Sequence, residues 1–417
     1  MPSAGFASRV DVADSRTSVM AILNLVRSGR AVTRPELEQG TGLSRAMVAQ
    51  RVDQLIELGL LSEGELGASR GGRAPRTIRF NSERGIILVA AFGARHIRTG
   101  ISDLSGRFLT RLHTDWNIAD GPGRSLGRAV EMLAELHAGL VERAPVWGLG
   151  IGVPGPVDAQ TGQLVAPPNM PGWDGVDARA TLADEWDAPA WVDTDVNLLA
   201  QSQRAVRAAE GVENLLYLKM GTGIGAAVIG EGRLLRGATG AAGNIGHAAF
   251  GGSDIRCRCG KTGCLEAVAS GWALGAEAER RARAGEGPLL QKILAETGEV
   301  SPLDLATAAR DGDSVAIELI QRSAKFAGHA LAILVDTVNP SHVVIGGALS
   351  TSGELFLASI RSSVYEKSLP LATRDLVITR SPADEFEPLR GGSVMVQQGL
   401  FEQTFLNWFQ SGSPVAK

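Results

Sequence analysis

The three cysteines of the chain, Cys257, Cys259 and Cys264, lie within eight residues, and His247 precedes the first by ten positions. Three thiols so close together are too crowded for a disulfide framework, and an odd number leaves one unpaired. With a nearby imidazole they form a Cys₃His set, which suits tetrahedral zinc with every ligand position filled. The alternative is a chance cluster of reduced cysteines on a glycine-rich turn. A closed four-ligand site is structural, so we expect the metal to hold a loop and the activity to lie elsewhere.

A second candidate for chemistry is the carboxylate of Asp195. The segment VDTDVN at 192–197 places it beside Asn197, where a strand is expected to run into a helix. A carboxylate there could act as general base on a sugar hydroxyl during phosphoryl transfer. It could equally cap the helix, because Asp, Thr and Asn are all good N-cap residues. The segment by itself leaves both alternatives open.

Two loops carry weaker signals for ligand binding. The loop PPNMPGW at 167–173 holds an Asn and a Trp between prolines, a combination that could contact a carbohydrate. The segment MGTGIG at 220–225 resembles a phosphate-cradling turn, because glycines let backbone N–H groups approach an anion. Neither loop is specific when taken singly.

A helix near the amino terminus is the candidate DNA reader. Ser44 is its expected N-cap, Val48 and Val52 lie on its apolar side, and Gly59 ends it. The first residues of a recognition helix reach base edges in the major groove, where Arg suits guanine and Gln suits adenine. The alternative is a packing module whose polar face is only solvated. The residues expected to contact DNA lie on the outward face and its borders: Arg45, Ala46, Met47, Gln50 and Arg51.

This helix belongs to a pattern of three helices followed by a β-hairpin. The helix before it is expected to start at Thr33, with Glu36 completing a capping box. Two strands, LLSEGEL and RTIRF, enclose the loop GASRGGRAPR. The pattern is the outline of a winged helix-turn-helix, which we expect over residues 16–83 after a disordered tail at 1–15. Three arginines near the hairpin tip are expected to contact phosphates or a minor groove: Arg70, Arg73 and Arg76.

The bulk composition fits a globular protein with one nucleic-acid-facing module. The chain has 417 residues, enough for two or three domains, with 44% hydrophobic and 21% charged residues and a net charge of -4. Residues 1–83 contain 11 Arg, no Lys and 9 acidic residues, a balance of +2, which leaves -6 for the remainder. No apolar run approaches the ~18 residues of a membrane span, and no signal-peptide core is present. We therefore expect a cytoplasmic protein without membrane contact.

The rest of the chain predicts an α/β body in two lobes. Three short strands, IILVAAF, IRTGISDL and RFLTRLHTD, indicate an antiparallel meander, and NLLYLKMGTGIGAAVI indicates a second strand-turn-strand. A final helix is expected over 393–409. Halves that each open with a meander suggest a two-lobed actin-like or sugar-kinase fold of the ribonuclease H-like ATPase class. We expect the first lobe at 84–205 plus 392–410, and the second, with the zinc loop and a dimerisation surface, at 206–391.

The order of these motifs resembles one protein family. After the winged helix-turn-helix come GIGVPGPVD at 150–158, PPNMPGW, VDTDVN, MGTGIG, GNIGH at 243–247 and CRCGKTGCLE at 257–266. This order closely resembles the ROK family of repressors, open reading frames and kinases, in its longer DNA-binding branch. The resemblance covers about residues 18–405, and the His-plus-cysteine pattern is its most specific part.

The resemblance implies roles for the matching positions. His247 and the three cysteines match zinc ligands, so the ion would be structural Zn²⁺. Asp195 matches the catalytic or sugar-holding aspartate, and the second ring nitrogen of His247 can face the sugar. The zinc would then hold the loop that carries His247 and Glu266. Groups that orient binding residues in this way often set the affinity for the ligand. The positions that match or replace sugar contacts are Gly155, Asn169, Asp195, Asn244, His247 and Glu266.

Departures from the family pattern set this chain apart from the kinases. Family kinases carry Asp-x-Gly-x-Thr on the first body strand, where this chain reads AFGAR at 91–95. Ala91 replaces the carboxylate expected near Mg²⁺, and Arg95 replaces the hydroxyl. Loss of both should remove most phosphoryl transfer and leave Asp195 as a vestigial base. On the sugar side, Thr194 replaces an Asn and Asn244 replaces a Glu, which changes the sugar that the pocket prefers.

The sequence therefore predicts a sugar-responsive transcriptional repressor with a kinase-like effector domain. A near-palindromic operator in double-stranded DNA has two half-sites, and each needs one DNA-binding domain. A homodimer or homotetramer is therefore expected. One alternative is an ATP-dependent sugar kinase that retains a DNA-binding domain. Another is a repressor regulated by a protein partner instead of a sugar.

Overall fold

The computed structural model describes residues 15–66, 76–142, 144–250, 253–382 and 384–414. Arg70 and Arg73, predicted to contact DNA, lie outside the described residues, as does the predicted tail apart from its last residue. That residue, Ser15, is the first residue of a helix, one position before the predicted start of the winged helix-turn-helix at residue 16.

The amino-terminal domain consists of three helices and a two-stranded hairpin, as predicted. Its elements are α1 (Ser15–Arg27), α2 (Arg34–Thr41), α3 (Arg45–Glu57), β1 (Leu61–Leu66) and β2 (Arg76–Phe80). The strands are antiparallel, with Leu61 opposite Phe80, and Thr33 forms a bridge with Thr77. Because Thr33 immediately precedes α2, this bridge ties the hairpin to the helices.

Local capping explains where α2 and α3 begin. Pro35 is in the first turn of α2, and the Glu36 carboxylate accepts the backbone N–H of Thr33 at 3.1 Å. The Ser44 hydroxyl accepts the N–H of Met47 at 3.3 Å at the start of α3. Each contact satisfies a backbone donor that the helix leaves free, so both predicted N-caps are confirmed.

The first lobe of the body is built on a five-stranded sheet in the order β5-β4-β3-β6-β7. Strand β3 pairs antiparallel with β4 and parallel with β6, and all seven of its residues are buried. This explains the continuous apolar run of the central strand. The elements are β3 (Ile86–Phe92), β4 (His96–Asp103), β5 (Phe108–Asp115), α4 (Pro122–Ala138), β6 (Val146–Val153), α5 (Ala178–Trp186), β7 (Ala190–Thr194) and α6 (Asp195–Val206).

The second lobe repeats this topology in the order β10-β9-β8-β11-β12. Strands β8, β9 and β10 form the antiparallel meander, and β8, β11 and β12 run parallel. The two-lobed α/β fold is therefore confirmed. The elements are β8 (Leu215–Met220), β9 (Ile224–Gly230), β10 (Arg233–Leu235), α7 (Leu265–Ala269), α8 (Gly271–Arg283), α9 (Pro288–Thr297), α10 (Pro302–Arg310), α11 (Ser314–Val338), β11 (His342–Gly346), α12 (Glu354–Lys367), α13 (Pro370–Thr373) and β12 (Val377–Arg380).

The chain ends with a return to the first lobe. Helix α14 (Glu387–Gln398) packs on α6 and on strands β3 and β6, and a π-helical turn (Gly399–Gln403) joins it to α15 (Phe405–Trp408). The prediction of one helix over 393–409 was wrong, since α14 begins earlier and the π turn interrupts the helical path. The sequence missed the earlier start because Glu387, buried at the first turn, reads as a surface residue.

The amino-terminal domain and the first lobe share one hydrophobic core. Val19 and Ile22 of α1 belong to the same buried cluster as Trp147, Phe401 and Trp408 of the body. The Trp408 ring lies 5.3 Å from that of Trp147 and 5.9 Å from that of Phe401, in edge-to-face geometry. The domain is thus packed against the body. Among the described residues, no helix is both long and apolar enough to cross a membrane.

Replacing Trp408 with Ala should loosen the amino-terminal domain from the body. The ring is 6% exposed, so its loss leaves a cavity worth about 3–5 kcal/mol of unfolding free energy. We expect a lower urea midpoint by circular dichroism and faster trypsin cleavage after Arg84. Leu406→Ala, on the same helix but 39% exposed, is the control and should change stability by less than about 1 kcal/mol. Equal effects of both substitutions would contradict this packing.

Candidate functional site

The predicted metal ligands converge on one point. The ligand atoms of His247, Cys257, Cys259 and Cys264 all lie within 4.8 Å of one another. Cys257 Sγ is 3.7 Å from His247 Nδ1, and Cys259 Sγ is 3.6 Å from Cys264 Sγ. Zinc–sulfur bonds of about 2.3 Å in a tetrahedron put sulfurs about 3.8 Å apart. The cluster could therefore hold a metal ion, and its donor set and spacing fit zinc.

The backbone around the cluster forms a short hairpin. Arg256 forms a bridge with Thr262, and the Cys257 N–H donates to the Lys261 carbonyl at 2.8 Å. Burial raises the pKa of the Cys264 thiol to about 12. A metal must displace protons when it binds these thiols, and its charge then stabilises the thiolates.

Asp195 is the first residue of α6, but it does not cap that helix. The Thr194 hydroxyl accepts the Asn197 N–H at 3.3 Å and serves as the N-cap. The Asp195 carboxylate instead forms an ion pair with Lys219, at the end of β8 in the other lobe. The sequence left open whether Asp195 caps the helix, and the structure shows that the neighbouring Thr194 is the N-cap instead. Lys219 was missed because it is adjacent to Asp195 only in the folded chain.

A second carboxylate, that of Asp193, lies two residues before Asp195 in the chain. Asp193 is buried at the end of β7 and accepts the Asn197 Nδ2 amide at 2.5 Å. Arg236, from the loop after β10, pairs with Asp193 at 2.9 Å. This pair joins the two lobes next to Asp195 and was also missed by the sequence analysis.

Glu266 is buried at the start of α7, directly under the glycine turn. One carboxylate oxygen accepts the Ile224 N–H at 2.9 Å, and the other accepts Trp272 Nε1 at 3.3 Å. Val196, next to Asp195, would be 3.4 Å from a Cβ on Gly225 in the same turn. The glycine turn thus lies between Glu266, which holds its backbone, and Val196, the residue after Asp195.

Asn169 reaches the metal cluster through an arginine. Arg258, between two of the cysteines, donates to Asn169 Oδ1 at 3.1 Å, and its guanidinium lies 4.5 Å above the Trp272 ring. Gly155 lies beside the same proline-rich loop, because a Cβ there would be 2.9 Å from Pro167. Asn244 is exposed at a 3₁₀ turn that ends at the half-buried His247. The contacts thus link Asn169 to the cysteine hairpin and place Gly155 beside the loop that carries Asn169.

Side chains of this chain contact the segment AFGAR at 91–95, which the sequence analysis predicted to replace a kinase phosphate loop. Ala91 is buried in β3, and Arg95 forms an ion pair with Glu299 of the second lobe. The His96 ring packs over Gly93, where a Cβ would be 2.3 Å from it. Burial, and then the charges of Arg98 and Lys219, lower the pKa of His96 to about 3, so the imidazole is neutral.

The candidate DNA-reading residues of α3 differ in exposure. Arg45, Ala46 and Gln50 are exposed, and Met47 is half-buried. Arg51 Nε donates to the Ser18 hydroxyl at 3.2 Å, so this side chain also ties α3 to α1.

At the base of the hairpin, charges are already paired. Arg76 pairs with Glu63 at 3.1 Å. Arg34, which the sequence analysis did not select, bridges Glu63 and Asp53 of α3. These pairs fix the hairpin relative to α3.

With this geometry in place, comparison with known proteins gives the family. The ROK family pattern matches residues 89–399. The chain belongs to the ROK family. The resemblance inferred from the motif order is thereby confirmed.

Relatives within the family include regulators and enzymes. The chain is 29% identical to the xylose repressor of Caldicellulosiruptor bescii, over 84% of this chain and 87% of that protein. A solved ROK family transcriptional regulator, described as a homolog of the E. coli MLC protein, aligns with a TM-score of 0.78 at 25% identity, over 93% of this ROK chain and 96% of that one. A ROK family glucokinase from Streptomyces griseus, solved with glucose and AMPPNP, aligns with a TM-score of 0.66 at 26% identity, over 76% of this chain and 100% of that one. The second alignment spans a shorter part of this chain than the first.

Replacing Cys264 with Ser should abolish metal retention by this ROK protein. Three remaining ligands cannot close the tetrahedron around zinc, so we expect less than about a tenth of the wild-type zinc content after dialysis, measured by mass spectrometry. Lys261→Ala, in the same hairpin but without a ligand atom, is the control and should retain zinc. Full zinc content in the serine variant would show that Cys264 is not a ligand.

Proposed function

We propose that the protein is a sugar-responsive transcriptional repressor that binds a near-palindromic operator. The observation that carries this proposal is the winged helix-turn-helix, packed through a shared core onto a ROK body. A reading head rigidly attached to a ligand-binding lobe can change position when that lobe moves. The similarity to a named repressor over 84% of the chain supports the same function.

The residues at the phosphate end of the cleft favour a regulator over a sugar kinase. Phosphoryl transfer depends on a metal held near the phosphates and on a free base at the acceptor hydroxyl. Ala91 offers no carboxylate, and the Lys219 ammonium lies against Asp195. The His96 ring covers the turn that would cradle the nucleotide.

The proposed ion at the Cys₃His cluster is Zn²⁺, and its proposed role is to brace the sugar site. Glu266 follows Cys264 by two positions, and Arg258 lies between Cys257 and Cys259. A metal that fixes these cysteines also fixes the side chains that reach Asn169 and Trp272. We therefore expect metal loss to blunt the sugar response.

A continuous path of packed helices supports coupling between sugar and DNA. Helix α6 starts at Asp195 and lies along α14, with Gln201 Nε2 donating to Gln398 at 2.8 Å. The π turn after α14 carries Phe401, whose ring lies 4.8 Å from the Arg27 guanidinium at the end of α1. A ligand that binds one arrangement of α6 more tightly would shift the head, and ~1–3 kcal/mol of coupling is typical.

Assembly as a homodimer or homotetramer is part of the proposal. Two operator half-sites require two DNA-binding domains. The second lobe also exposes large apolar side chains that a second copy of the chain could cover. They are on α11, α12, α13 and β12, or immediately before α13 in the case of Leu369: Ile333, Leu355, Leu369, Leu371 and Val377.

A sugar effector should stabilise the wild-type protein but not the Asp195→Ala variant. A ligand present at 100 times its Kd adds about 2.7 kcal/mol to the free energy of unfolding. A panel of mono- and oligosaccharides should therefore include one that raises Tm in thermal-shift assays. Asp375→Ala is the control and should keep the response, because Asp375 is exposed and pairs with its neighbour Arg374. A normal response in Asp195→Ala would place the pocket elsewhere. Sugar-dependent ADP formation from Mg-ATP would instead support the kinase alternative, and no response to any sugar would favour a protein partner.

Substitutions in α3 and in the hairpin should affect DNA binding differently. The operator is first selected from random DNA. Arg45→Ala or Gln50→Ala should then make the free energy of operator binding less favourable by about 1–3 kcal/mol and relax the base preference at one base pair. Arg73→Ala should weaken binding to all sequences and reduce the salt dependence, because it would contact phosphate. Gel shifts at several salt concentrations check this, with Arg128→Ala of α4 as the control. Unchanged base preference in Arg45→Ala would remove that residue from the reading face.

A further inference from the structure

Arg258 carries a charge beside the candidate sugar contacts that the proposed function does not use. It stands between Cys257 and Cys259, so the cysteine hairpin fixes its backbone. Its guanidinium donates to Asn169 Oδ1 at 3.1 Å and lies 4.5 Å above the centre of the Trp272 ring. Two contacts with different parts of the fold therefore orient this exposed side chain toward the loop that carries Asn169.

The guanidinium of Arg258 forms no ion pair with a carboxylate of the described residues. Its hydrogen bond is with the neutral Asn169 amide, and its other contact is with the face of an aromatic ring. Lys219 and Arg236, the other cations near the predicted sugar contacts, are each paired with an aspartate. The charge of Arg258 is therefore available to a ligand.

Both partners of the Arg258–Asn169 contact keep hydrogen-bond donors for a ligand. A guanidinium carries several N–H donors in a planar fork, and the bond to Asn169 uses NH1. Asn169 is half-buried and accepts through Oδ1, so its Nδ2 hydrogens remain available. A planar fork beside a neutral amide donor matches the two coplanar oxygens of a carboxylate.

We propose that Arg258 and Asn169 bind a carboxylate, and that the effector is a uronic acid, a sugar that carries a carboxylate on its ring. This inference rests on the proposed function, because it places the anion at the edge of the proposed sugar site. A neutral sugar would need hydroxyl contacts but no cation. One unpaired guanidinium matches a group with one negative charge, and its stacking on Trp272 orders the fork before the ligand binds.

Aldoses paired with their uronic acids test this inference by isothermal titration calorimetry on the full chain: glucose with glucuronate, and galactose with galacturonate. We expect one uronate to bind about tenfold more tightly than its parent aldose, as a charge-assisted hydrogen bond allows. Arg258→Met should remove this preference. Arg256→Met, which removes an exposed arginine two positions earlier in the same hairpin, is the matched control and should keep it.

Circular dichroism and zinc content show whether Arg258→Met is folded. If it is not, Arg258→Lys takes its place, and it should lower the preference for the uronate without abolishing it, because it keeps the charge and loses the planar fork.

Three outcomes would contradict the carboxylate site. Parent aldoses that bind as tightly as their uronates, or a preference that survives Arg258→Met, would overturn it and leave the sugar-responsive repressor intact. Glucose 6-phosphate is included because a guanidinium also binds phosphate. If its binding exceeds that of both uronates and depends on Arg258, the carboxylate assignment is wrong. Binding of neither parents nor acids would overturn the proposed function together with this inference, so the parent sugars distinguish the two failures.

Discussion

Close packing between α6 and α14 is the contact on which the rest of the molecule depends. The helices approach so closely that a Cβ on Gly391 would lie 1.8 Å from the Leu198 carbonyl. Helix α6 leads out of the first lobe toward β8, and α14 returns the chain from the second lobe. The two crossings of the chain between the lobes therefore meet at this helix pair. Helix α14 also leads into the aromatic residues that pack against the amino-terminal domain.

The candidate metal cluster and the residues proposed to contact sugar form one polar network. Asn169, Arg258, Trp272 and Glu266 follow one another through hydrogen bonds and a ring contact, and the chain ends at the Ile224 N–H of the glycine turn. Cysteines on both sides of Arg258 anchor its backbone. These contacts join the cysteine hairpin to the glycine turn. Under the proposed function, a metal bound at the cysteines would therefore also restrain the side chains proposed to contact sugar.

Basic side chains lie on β4 and at the end of β8. Arg98 is the cross-strand partner of Ala91, and Lys219 forms an ion pair with Asp195. These contacts support the proposal of a regulator, because phosphoryl transfer depends on a metal held near the phosphates and on a free base at the acceptor hydroxyl.

The sequence by itself determined the features that depend on chain neighbours. The cysteine spacing, the capping residues Thr33 and Ser44, the strand meanders and the motif order all rest on residues close together in the chain. The tertiary structure alone decided that Lys219 faces Asp195 and that Arg98 neighbours Ala91. It also decided that the aromatic residues of the carboxyl terminus bury α1. Such contacts follow from sheet register and helix packing, which join positions far apart in the chain and leave no periodic trace in the sequence.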